Sequence, residues 1–363
     1  MNGFRTRGHP IALAAVRRAV RTGRPPHAML IVGPDGVGKT TLALDLAAGL
    51  LCVDPDPASR PCRDCAACRK VEHDNHPDLH RLMPEGAGDQ IRLVQVHALV
   101  AELALLPMEG RWRVAIIEAA HRLNPDAQNA LLKTLEEPVG AACIVLVADE
   151  PQSILPTVAS RAARVRLGPV SRPEIAALLE DRGVADAARS TSIARAARGR
   201  PGLGMTLAAL PEASIVADRL ARTLLDLARA DPSVRLGAVG GLVADGAALD
   251  AMLRGEGSRA AGVTSARGAR VAPAERRRAA ARVLAAWRDL GRDLFVAASG
   301  GGHELNDPQL LEELRDVASR VEMRDLLAFL ERLDALIAAV EGYANPELVL
   351  DALALAWPRA RAA

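Results

Sequence analysis

A glycine-rich segment near the N-terminus has the residue types and the spacing of a phosphate-binding loop. Residues 33–40 read GPDGVGKT, fit the pattern G-x-x-x-x-G-K-[S/T], and lie between the apolar run Met29–Val32 and a helical stretch. The glycines let backbone N–H groups surround phosphate oxygens, and the helix N-terminus adds a positive dipole. Lys39 would reach the β- and γ-phosphates, and Thr40 would ligate Mg²⁺. The segment predicts binding of ATP or ADP with Mg²⁺; the alternative is a loop that keeps this shape without binding nucleotide.

Hydrolysis needs a carboxylate at the end of a neighbouring strand to hold Mg²⁺, and commonly a second one to orient the attacking water. The apolar run Trp112–Ile117 ends at Glu118, which we assign to the Mg²⁺ position. The water-orienting position is Ala119, and His121 is better explained as a surface or loop histidine. The pattern therefore favours binding over hydrolysis. The candidate nucleotide-binding residues are Gly33, Gly36, Val37, Gly38, Lys39, Thr40, Thr41 and Glu118.

Four cysteines follow the first predicted helix with the spacing C-x₉-C-x₂-C-x₂-C: Cys52, Cys62, Cys65 and Cys68. Four thiolates at such short separations can complete a tetrahedron around Zn²⁺, and the closed set indicates a structural metal site. A redox pair would need no third or fourth cysteine, and iron–sulfur clusters commonly use other spacings. The nearby histidines that could replace a ligand are His73, His76 and His80.

The elements that must position these residues alternate between strand and helix. Met29–Val32, Trp112–Glu118 and Cys143–Val147 read as buried strands, and Thr40–Leu51 reads as a helix. Asn124-Pro125 has the cap and first-turn residues of another helix. This alternation predicts an α/β domain with a parallel sheet that is covered on both faces.

Strand patterns largely stop after residue 167, and Ala/Leu/Arg-rich helical patterns follow. We expect an α/β domain over residues 1–167 with the four-cysteine module at 52–68. A small helical lid domain is expected over 168–212 and a helical C-terminal domain over 213–363. Residues 254–273 are rich in Gly, Arg and Ser and predict a mobile insert. Its basic neighbour Arg267–Arg282 is best explained as a solvated charged face.

Composition excludes several other classes of protein. Lys and Arg total 46 and Asp and Glu total 44, so the net charge of +2 argues against binding nucleic acid by bulk charge. Three Phe, three Trp and one Tyr leave few rings for stacking on bases. No uninterrupted apolar run reaches the roughly 20 residues of a membrane span, so we expect a cytoplasmic protein that contacts no membrane. In that compartment the cysteines favour metal over disulfides.

Several stretches together resemble one known family. Residues 23–28 (GRPPHA) lead into the phosphate loop, the four-cysteine module follows the first helix, and residues 129–138 read NALLKTLEEP. Thr157-Val158-Ala159-Ser160-Arg161 resembles a segment that ends in Ser-Arg-Cys, although Ala162 stands in place of Cys. In these features the chain resembles the delta-prime subunits of bacterial DNA polymerase III clamp loaders, which are AAA+ proteins. The resemblance is strong over about residues 8–167 and weakens beyond.

The resemblance implies an AAA+ P-loop parallel sheet with a zinc module, followed by a small helical domain and a helical collar domain. It implies a pentameric ring with the ATPase subunits and the delta subunit of the loader. That ring opens the sliding clamp and places it on primer–template DNA. By the same resemblance Arg161 acts in trans on the ATP of a neighbouring subunit. DNA would be contacted through the assembly, and nothing in the sequence resembles a polymerase site.

Three departures from the family pattern bear on this chain's own ATPase. The water-activating acid is missing at Ala119. The polar sensor expected at the end of the Cys143–Val147 strand is replaced by Ala148, with Asp149 adjacent. The second sensor arginine is replaced by Gly202; Arg200 is near, but a continuous helix would turn it about 200° away. The chain is therefore expected to bind nucleotide and to hydrolyse it poorly.

Two alternatives to a stator-like loader subunit stay open. One is an ATP-hydrolysing motor subunit of the same loader, against which the missing acid and sensors count. The other is a zinc-containing nucleic-acid-binding module with a vestigial P-loop. The low aromatic content and the balanced charge count against that second alternative.

Overall fold

The computed structural model describes residues 3–85, 90–137, 140–149, 152, 154–253, 273–300, 310–341 and 344–360. Within these residues five strands form one sheet. They are β1 (Ala28–Val32), β2 (Leu79–Leu82), β3 (Arg113–Ile117), β4 (Ala142–Ala148) and β5 (Ala163–Arg166). The strand order is β2-β3-β4-β1-β5, and all four pairings are parallel. The predicted parallel sheet is confirmed.

The three inner strands are apolar, except for Arg113 at the start of β3, because both of their faces are covered. Every residue of β1, β3 and β4 is buried, which is the pattern of parallel strands with helices on either side. Two apolar clusters form against the two faces of the sheet: one includes Ile31 and Leu46, and the other includes Leu30 and Leu131. The sheet therefore carries the carboxyl ends of β1, β3 and β4 on a rigid support.

Helices before, between and after the strands cover the sheet. Their bounds are α1 (Pro10–Thr22), α2 (Lys39–Leu51), α3 (Ala66–Glu72), α4 (Leu93–Leu103), α5 (Pro125–Glu136), α6 (Pro156–Ala159) and α7 (Arg172–Asp181). Asn124 caps α5 by accepting a hydrogen bond from the N–H of Ala127, as the Asn-Pro signal predicts. Ser171 and Glu174 form a capping box at the start of α7.

The chain divides into two compact units. The first comprises Met1–Arg182 and Gly199–Gly202, and the second comprises Gly183–Arg198 and Leu203–Ala363. The helices that follow α7 are α8 (Ala187–Ala196), α9 (Pro201–Ala209), α10 (Pro211–Leu227), α11 (Pro232–Leu253), α12 (Pro273–Ala298), α13 (Leu311–Ala318), α14 (Met323–Glu341) and α15 (Pro346–Ala356). The predicted division into three domains stays a prediction beside these units.

The second unit is built around aromatic and aliphatic side chains. Trp287, Phe329 and Trp357 pack together with ring centroids 4.6–5.9 Å apart. The guanidinium of Arg235 is buried and donates to the carbonyl oxygens of Ala230 and Ala354, so it ties α11 to the last helix. Among the described residues of this unit the secondary structure is helical, as the sequence predicts.

Helix α11 is long and apolar enough by length and composition to cross a membrane. Charged residues interrupt the apolar run, which is why the sequence contains no continuous span. Two of them are buried in the unit: Arg235, and Asp250, which pairs with Arg278 and Arg282 of α12. One face of the helix, which includes these two residues, thus packs within the second unit.

The two outer strands differ from the sequence-based expectation. The sequence predicts no strand at residues 79–82, which form β2 and read LHRL. Strand β5 reads ARVR and is mostly exposed, so it carries no apolar signal. The predicted insert 254–273 lies outside the described residues except for Pro273.

Candidate functional site

The phosphate loop runs from the end of β1 to the first turn of α2. Gly33 is tightly enclosed, since a methyl group built there would lie 2.3 Å from the carbonyl oxygen of Leu167. Gly36 and Gly38 have positive φ angles of 76° and 104°, a conformation in which glycine is unstrained. Thr40 and Thr41 follow in the first turn of α2 and are half-buried. The local fold thus needs glycine where the pattern supplies it.

Lys39 lies inside this loop and is almost completely buried. Its Nζ donates to the carbonyl oxygens of Gly33 at 2.7 Å and Pro34 at 2.8 Å. A carboxylate oxygen of Asp149 lies 2.9 Å from the same nitrogen. These contacts hold the ammonium group beside the loop, where it can bind a phosphate. A set of backbone amides, a buried ammonium and two threonines fits a nucleotide with Mg²⁺ in its chemistry.

Asp149 follows β4 and contributes a polar group to the site. In the sequence it stands out only as the residue next to Ala148. Its backbone carbonyl accepts from the N–H of Gly33 at 3.2 Å, which fixes it against the phosphate loop. Its second carboxylate oxygen lies 3.7 Å from Nε2 of His121. The end of β4 therefore brings Asp149, His121 and Lys39 together. His121, expected to be a surface or loop residue, contacts this site.

Glu118 follows β3, as predicted, but it contacts a residue of the edge strand β2. Nε of Arg81 donates to a carboxylate oxygen of Glu118 at 2.8 Å, and Arg81 also pairs with Asp74 at 3.1 Å. Burial lowers the pKa of Arg81, but the two carboxylates outweigh burial and raise that pKa above its ordinary value. The carboxylate proposed for Mg²⁺ is thus held by an arginine of β2, whereas Asp149 contacts the loop lysine.

The expected direction of Arg200 is wrong. Helix α9 begins at Pro201, so Arg200 precedes the helix and the helical rotation does not apply to it. A methyl group built at Gly36 would lie 3.3 Å from Cβ of Arg200, and the N–H of Gly202 donates to the carbonyl oxygen of Gly36 at 3.1 Å. The segment Gly199–Gly202 therefore packs directly on the phosphate loop.

The four cysteines predicted to bind metal converge on one point. The Sγ atoms of Cys52, Cys62, Cys65 and Cys68 all lie within 4.8 Å of one another. The separations from Cys52 to Cys62 and to Cys65 are 3.6 and 3.9 Å. A tetrahedral ion with metal–sulfur bonds of about 2.3 Å requires sulfur–sulfur separations of about 3.8 Å. The donor set therefore fits a tetrahedral metal ion.

Backbone N–H groups point at the sulfurs of this cluster. Those of Cys65 and Cys68 donate to Sγ of Cys62 and Cys65, each at 3.4 Å. Burial acts to raise the pKa of Cys65, but hydrogen bonds from the Cys68 and Val53 backbone outweigh it and bring the pKa to about 7. Burial raises the pKa of Cys52 and Cys68. A bound cation would stabilise all four as thiolates.

Arg161 lies just beyond α6 on the surface of the first unit. Its Nη2 lies 2.5 Å from Oε1 of Glu136, the last residue of α5, and its Nη1 donates to the carbonyl oxygen of Thr157 at 2.9 Å. The side chain is 36% exposed, so it is oriented without being enclosed. Two segments that the sequence singles out separately, residues 129–138 and 157–161, thus meet at one ion pair.

Gln128 is a buried residue of α5 that connects this helix to the segment before α6. No sequence pattern predicts this role. Nε2 of Gln128 donates to the carbonyl oxygen of Leu123, and its Oε1 accepts from the N–H of Leu155 at 2.7 Å. Leu155 is the residue that precedes α6. The side chain thereby fixes the start of the short helix whose end carries Arg161.

Known proteins match the part of the chain that contains the phosphate loop, the four cysteines and Arg161. A sequence model of the family described as DNA polymerase III, delta subunit, matches residues 8–171. The DNA polymerase III subunit delta' of Pseudomonas aeruginosa is 42% identical over 135 residues, 37% of this chain and 41% of the relative. That of Bacillus subtilis is 34% identical over 161 residues, 44% of this chain and 48% of the relative. The resemblance to delta-prime subunits is confirmed over this region.

The matched region spans less than half of the length of either relative. A solved structure, a DNA polymerase III gamma subunit-related protein from Thermotoga maritima, aligns with 94% of this chain and 97% of its own. The alignment has 16% identity and a TM-score of 0.41.

Proposed function

We propose that this chain is a delta-prime-type subunit of the clamp loader of the replicative DNA polymerase III, and that it acts in the cytoplasm. The observation that carries the proposal is the exposed Arg161, oriented by Glu136 within the region that matches delta-prime subunits. The chain works with the ATPase subunits and the delta subunit in a pentameric ring. The ring loads the sliding clamp on primer–template DNA, and this chain contacts the DNA through the assembly.

The chemical role of the chain is to supply a positive charge to a site on its neighbour. When ATP is cleaved, negative charge develops on the transferred phosphoryl group, and an arginine from another subunit stabilises that charge. Arg161 can leave Glu136 for a phosphate because an exposed ion pair contributes only about 0–1 kcal/mol. A guanidinium suits this task because it is always charged and donates in a planar fork.

The chain's own P-loop is assigned to binding of ATP or ADP with Mg²⁺ and to weak hydrolysis at most. When bound, the metal would neutralise phosphate charge. Lys39 and the backbone N–H groups of residues 35–41 would hold the phosphates. Ala119 offers no carboxylate to orient water, and Glu118 is engaged by Arg81. The side chains thus support a site that binds nucleotide but hydrolyses it weakly at most.

The four-cysteine cluster is assigned to a structural Zn²⁺ ion. Cys52 directly follows α2, Cys65 caps the N-terminus of α3 and Cys68 lies in the first turn of α3. The ion would therefore fasten the module to the phosphate-loop helix. Four sulfur ligands leave no open position for substrate.

Assembly tests the proposed function directly. The full chain is mixed with the delta and ATPase subunits of the same organism, and the complex is analysed by native mass spectrometry. One copy of this chain per five-subunit complex is the expected result. A complete loader that forms and excludes this chain would contradict it.

Turnover by the isolated chain tests the motor alternative. A steady ATPase rate that Lys39→Ala abolishes would favour a motor subunit. Tight binding of DNA by the isolated chain that is lost with zinc would favour the nucleic-acid-binding module.

A further inference from the structure

Three oxygen atoms surround the ammonium group of Lys39. They belong to Gly33 at 2.7 Å, Pro34 at 2.8 Å and Asp149 at 2.9 Å. A lysine ammonium has three N–H donors and no more. Because the side chain of Lys39 is only 7% exposed, water cannot readily replace a lost partner. Lys39 must therefore give up one of these oxygens to bind a phosphate.

Asp149 is the partner that can leave. The carbonyl oxygens of Gly33 and Pro34 belong to the loop itself, whereas the Asp149 side chain reaches the lysine from the end of β4. It is 45% exposed, so its carboxylate can turn into water at little cost. Its backbone stays in place, since its carbonyl oxygen is bonded to the N–H of Gly33.

The Asp149 carboxylate also has the charge of the ligand that the loop would bind. A phosphate at the Lys39 ammonium brings negative charge within a few ångströms of this carboxylate, and two like charges repel at that range. The repulsion grows with the number of phosphates that reach the lysine. A lysine in this position contacts the β- and γ-phosphates, so a triphosphate is penalised more than a diphosphate.

We propose that Asp149 competes with nucleotide phosphate for Lys39, and thereby lowers the affinity of this P-loop for nucleoside triphosphates more than for nucleoside diphosphates. The inference rests on the proposed nucleotide site and adds to it a residue that sets affinity and selectivity. The loop retains its shape while the charge of its lysine is neutralised by Asp149. A subunit whose own site resists ATP would present the same surface to its neighbours throughout their ATP cycle.

A different role for the same residue leads to the opposite expectation. If Asp149 held Mg²⁺ or oriented water, its carboxylate would strengthen binding of the Mg²⁺ complex. Removing that negative charge would then weaken binding in the presence of Mg²⁺ and change little without it. The competition that we propose acts with or without Mg²⁺, because it concerns the lysine.

The experiment is a fluorescence titration of the full chain with N-methylanthraniloyl ATP and ADP, each with Mg²⁺ and with EDTA. Asp149→Asn keeps the shape of the side chain and removes its charge. Asp181→Asn, at the exposed end of α7 in the same unit, is the charge-matched control. Melting temperatures verify that each variant is folded. Adding Lys39→Ala to Asp149→Asn verifies that the probe occupies the loop.

We expect Asp149→Asn to tighten binding of the ATP probe on the order of tenfold, an equilibrium shift of about 1.4 kcal/mol. The ADP probe should tighten less, both effects should persist in EDTA, and the control should behave as wild type. Unchanged binding, weaker binding, or no detectable binding by Asp149→Asn would overturn the inference. None of these results affects the proposed place in the clamp loader, which subunit assembly measures separately.

Discussion

Nη2 of Arg161 lies 2.5 Å from Oε1 of Glu136, so the candidate trans-acting arginine is held by the last residue of the helix that carries the family's ten-residue motif. The side chains are 36% and 49% exposed, and a pair of this kind orients an arginine without trapping it. The ion pair connects the motif at 129–138 with the motif at 157–161. The first supplies the support and the second supplies the charge.

Replacing Gln128 with Ala should weaken the support of Arg161 without touching the arginine. The change removes a buried amide and leaves the N–H of Leu155 and the carbonyl oxygen of Leu123 without that partner. We expect a loss of about 1–3 kcal/mol in the free energy of unfolding, measured by urea denaturation. Asn129→Ala on the exposed face of α5 is the control and should change stability little. Equal stability of the two variants would contradict the assignment of Gln128.

Asp78 anchors the loop before β3. It is fully buried and accepts hydrogen bonds from the N–H groups of Met108, Glu109 and Gly110. Burial acts to raise the pKa of Asp78, but these three bonds outweigh it and lower the pKa below its ordinary value. Asp78→Asn should lower the stability at pH 7 by about 2 kcal/mol, because an amide cannot replace a charged acceptor for three donors.

The pH dependence of this effect has a definite sign. A carboxyl whose pKa is lower in the folded state stabilises the fold above its unfolded pKa of about 3.9, and this contribution is lost as the pH falls through the folded pKa. The difference in melting temperature between wild type and Asp78→Asn should therefore be constant near neutral pH and narrow below about pH 4. Thermal unfolding from pH 7 to pH 3 measures it. A difference that widens in acid would contradict the role of Asp78.

Metal removal should loosen the four-cysteine module. We expect about one zinc per purified chain, and less than about a tenth of that in Cys65→Ser, because four ligands complete the tetrahedron. Elemental analysis gives the zinc content, and thermal unfolding should show a lower melting temperature for the variant and for the chelated wild type. Cys143→Ala, in the buried strand β4, is the matched cysteine control and should retain zinc. Full zinc content in Cys65→Ser would exclude this cysteine as a ligand.

Arg200 should contribute to nucleotide binding although the family's sensor position is Gly202. Its side chain packs against Gly36 of the phosphate loop, and a permanently charged guanidinium beside a phosphate site attracts anions. Arg200→Ala should weaken binding of the ADP probe on the order of fivefold, in line with loss of one charge-assisted contact. Arg182→Ala, an exposed arginine that follows α7, is the control. Equal affinity of both variants would remove Arg200 from the site.

The interior of the fold could be predicted from the sequence, and its edges could not. Strands β1, β3 and β4 are covered on both faces, so their residues are apolar except for Arg113 at the start of β3, and the sequence pattern is clear. Strand β5 is an edge strand with two arginines, so burial does not constrain its sequence. The position of β5 is determined by its parallel pairing with β1. Pairing between distant segments leaves no recognisable pattern in the sequence of β5 itself.

The candidate site was predictable where a short motif fixes the backbone. The phosphate loop and the cysteine cluster depend on spacing within about 20 residues, and both come together as expected. Asp149, His121 and Arg200 approach Lys39 or Gly36 from distant segments, which only the folded sheet brings together. The prediction for Arg200 was wrong because α9 begins at Pro201, so no continuous helix includes Arg200.

In the proposed loader, Arg161 acts on the ATP of a neighbouring subunit. The most direct measurement is ATP turnover, stimulated by clamp and primer–template DNA, in a loader reconstituted with this chain. Wild type is compared with Arg161→Ala, and Glu136→Gln serves as the control that removes the ion pair and keeps the arginine. We predict a fall of roughly a hundredfold or more at the one site that faces this chain, and near-normal turnover for Glu136→Gln. An intact complex that hydrolyses ATP at that site equally well with Arg161→Ala would contradict the account.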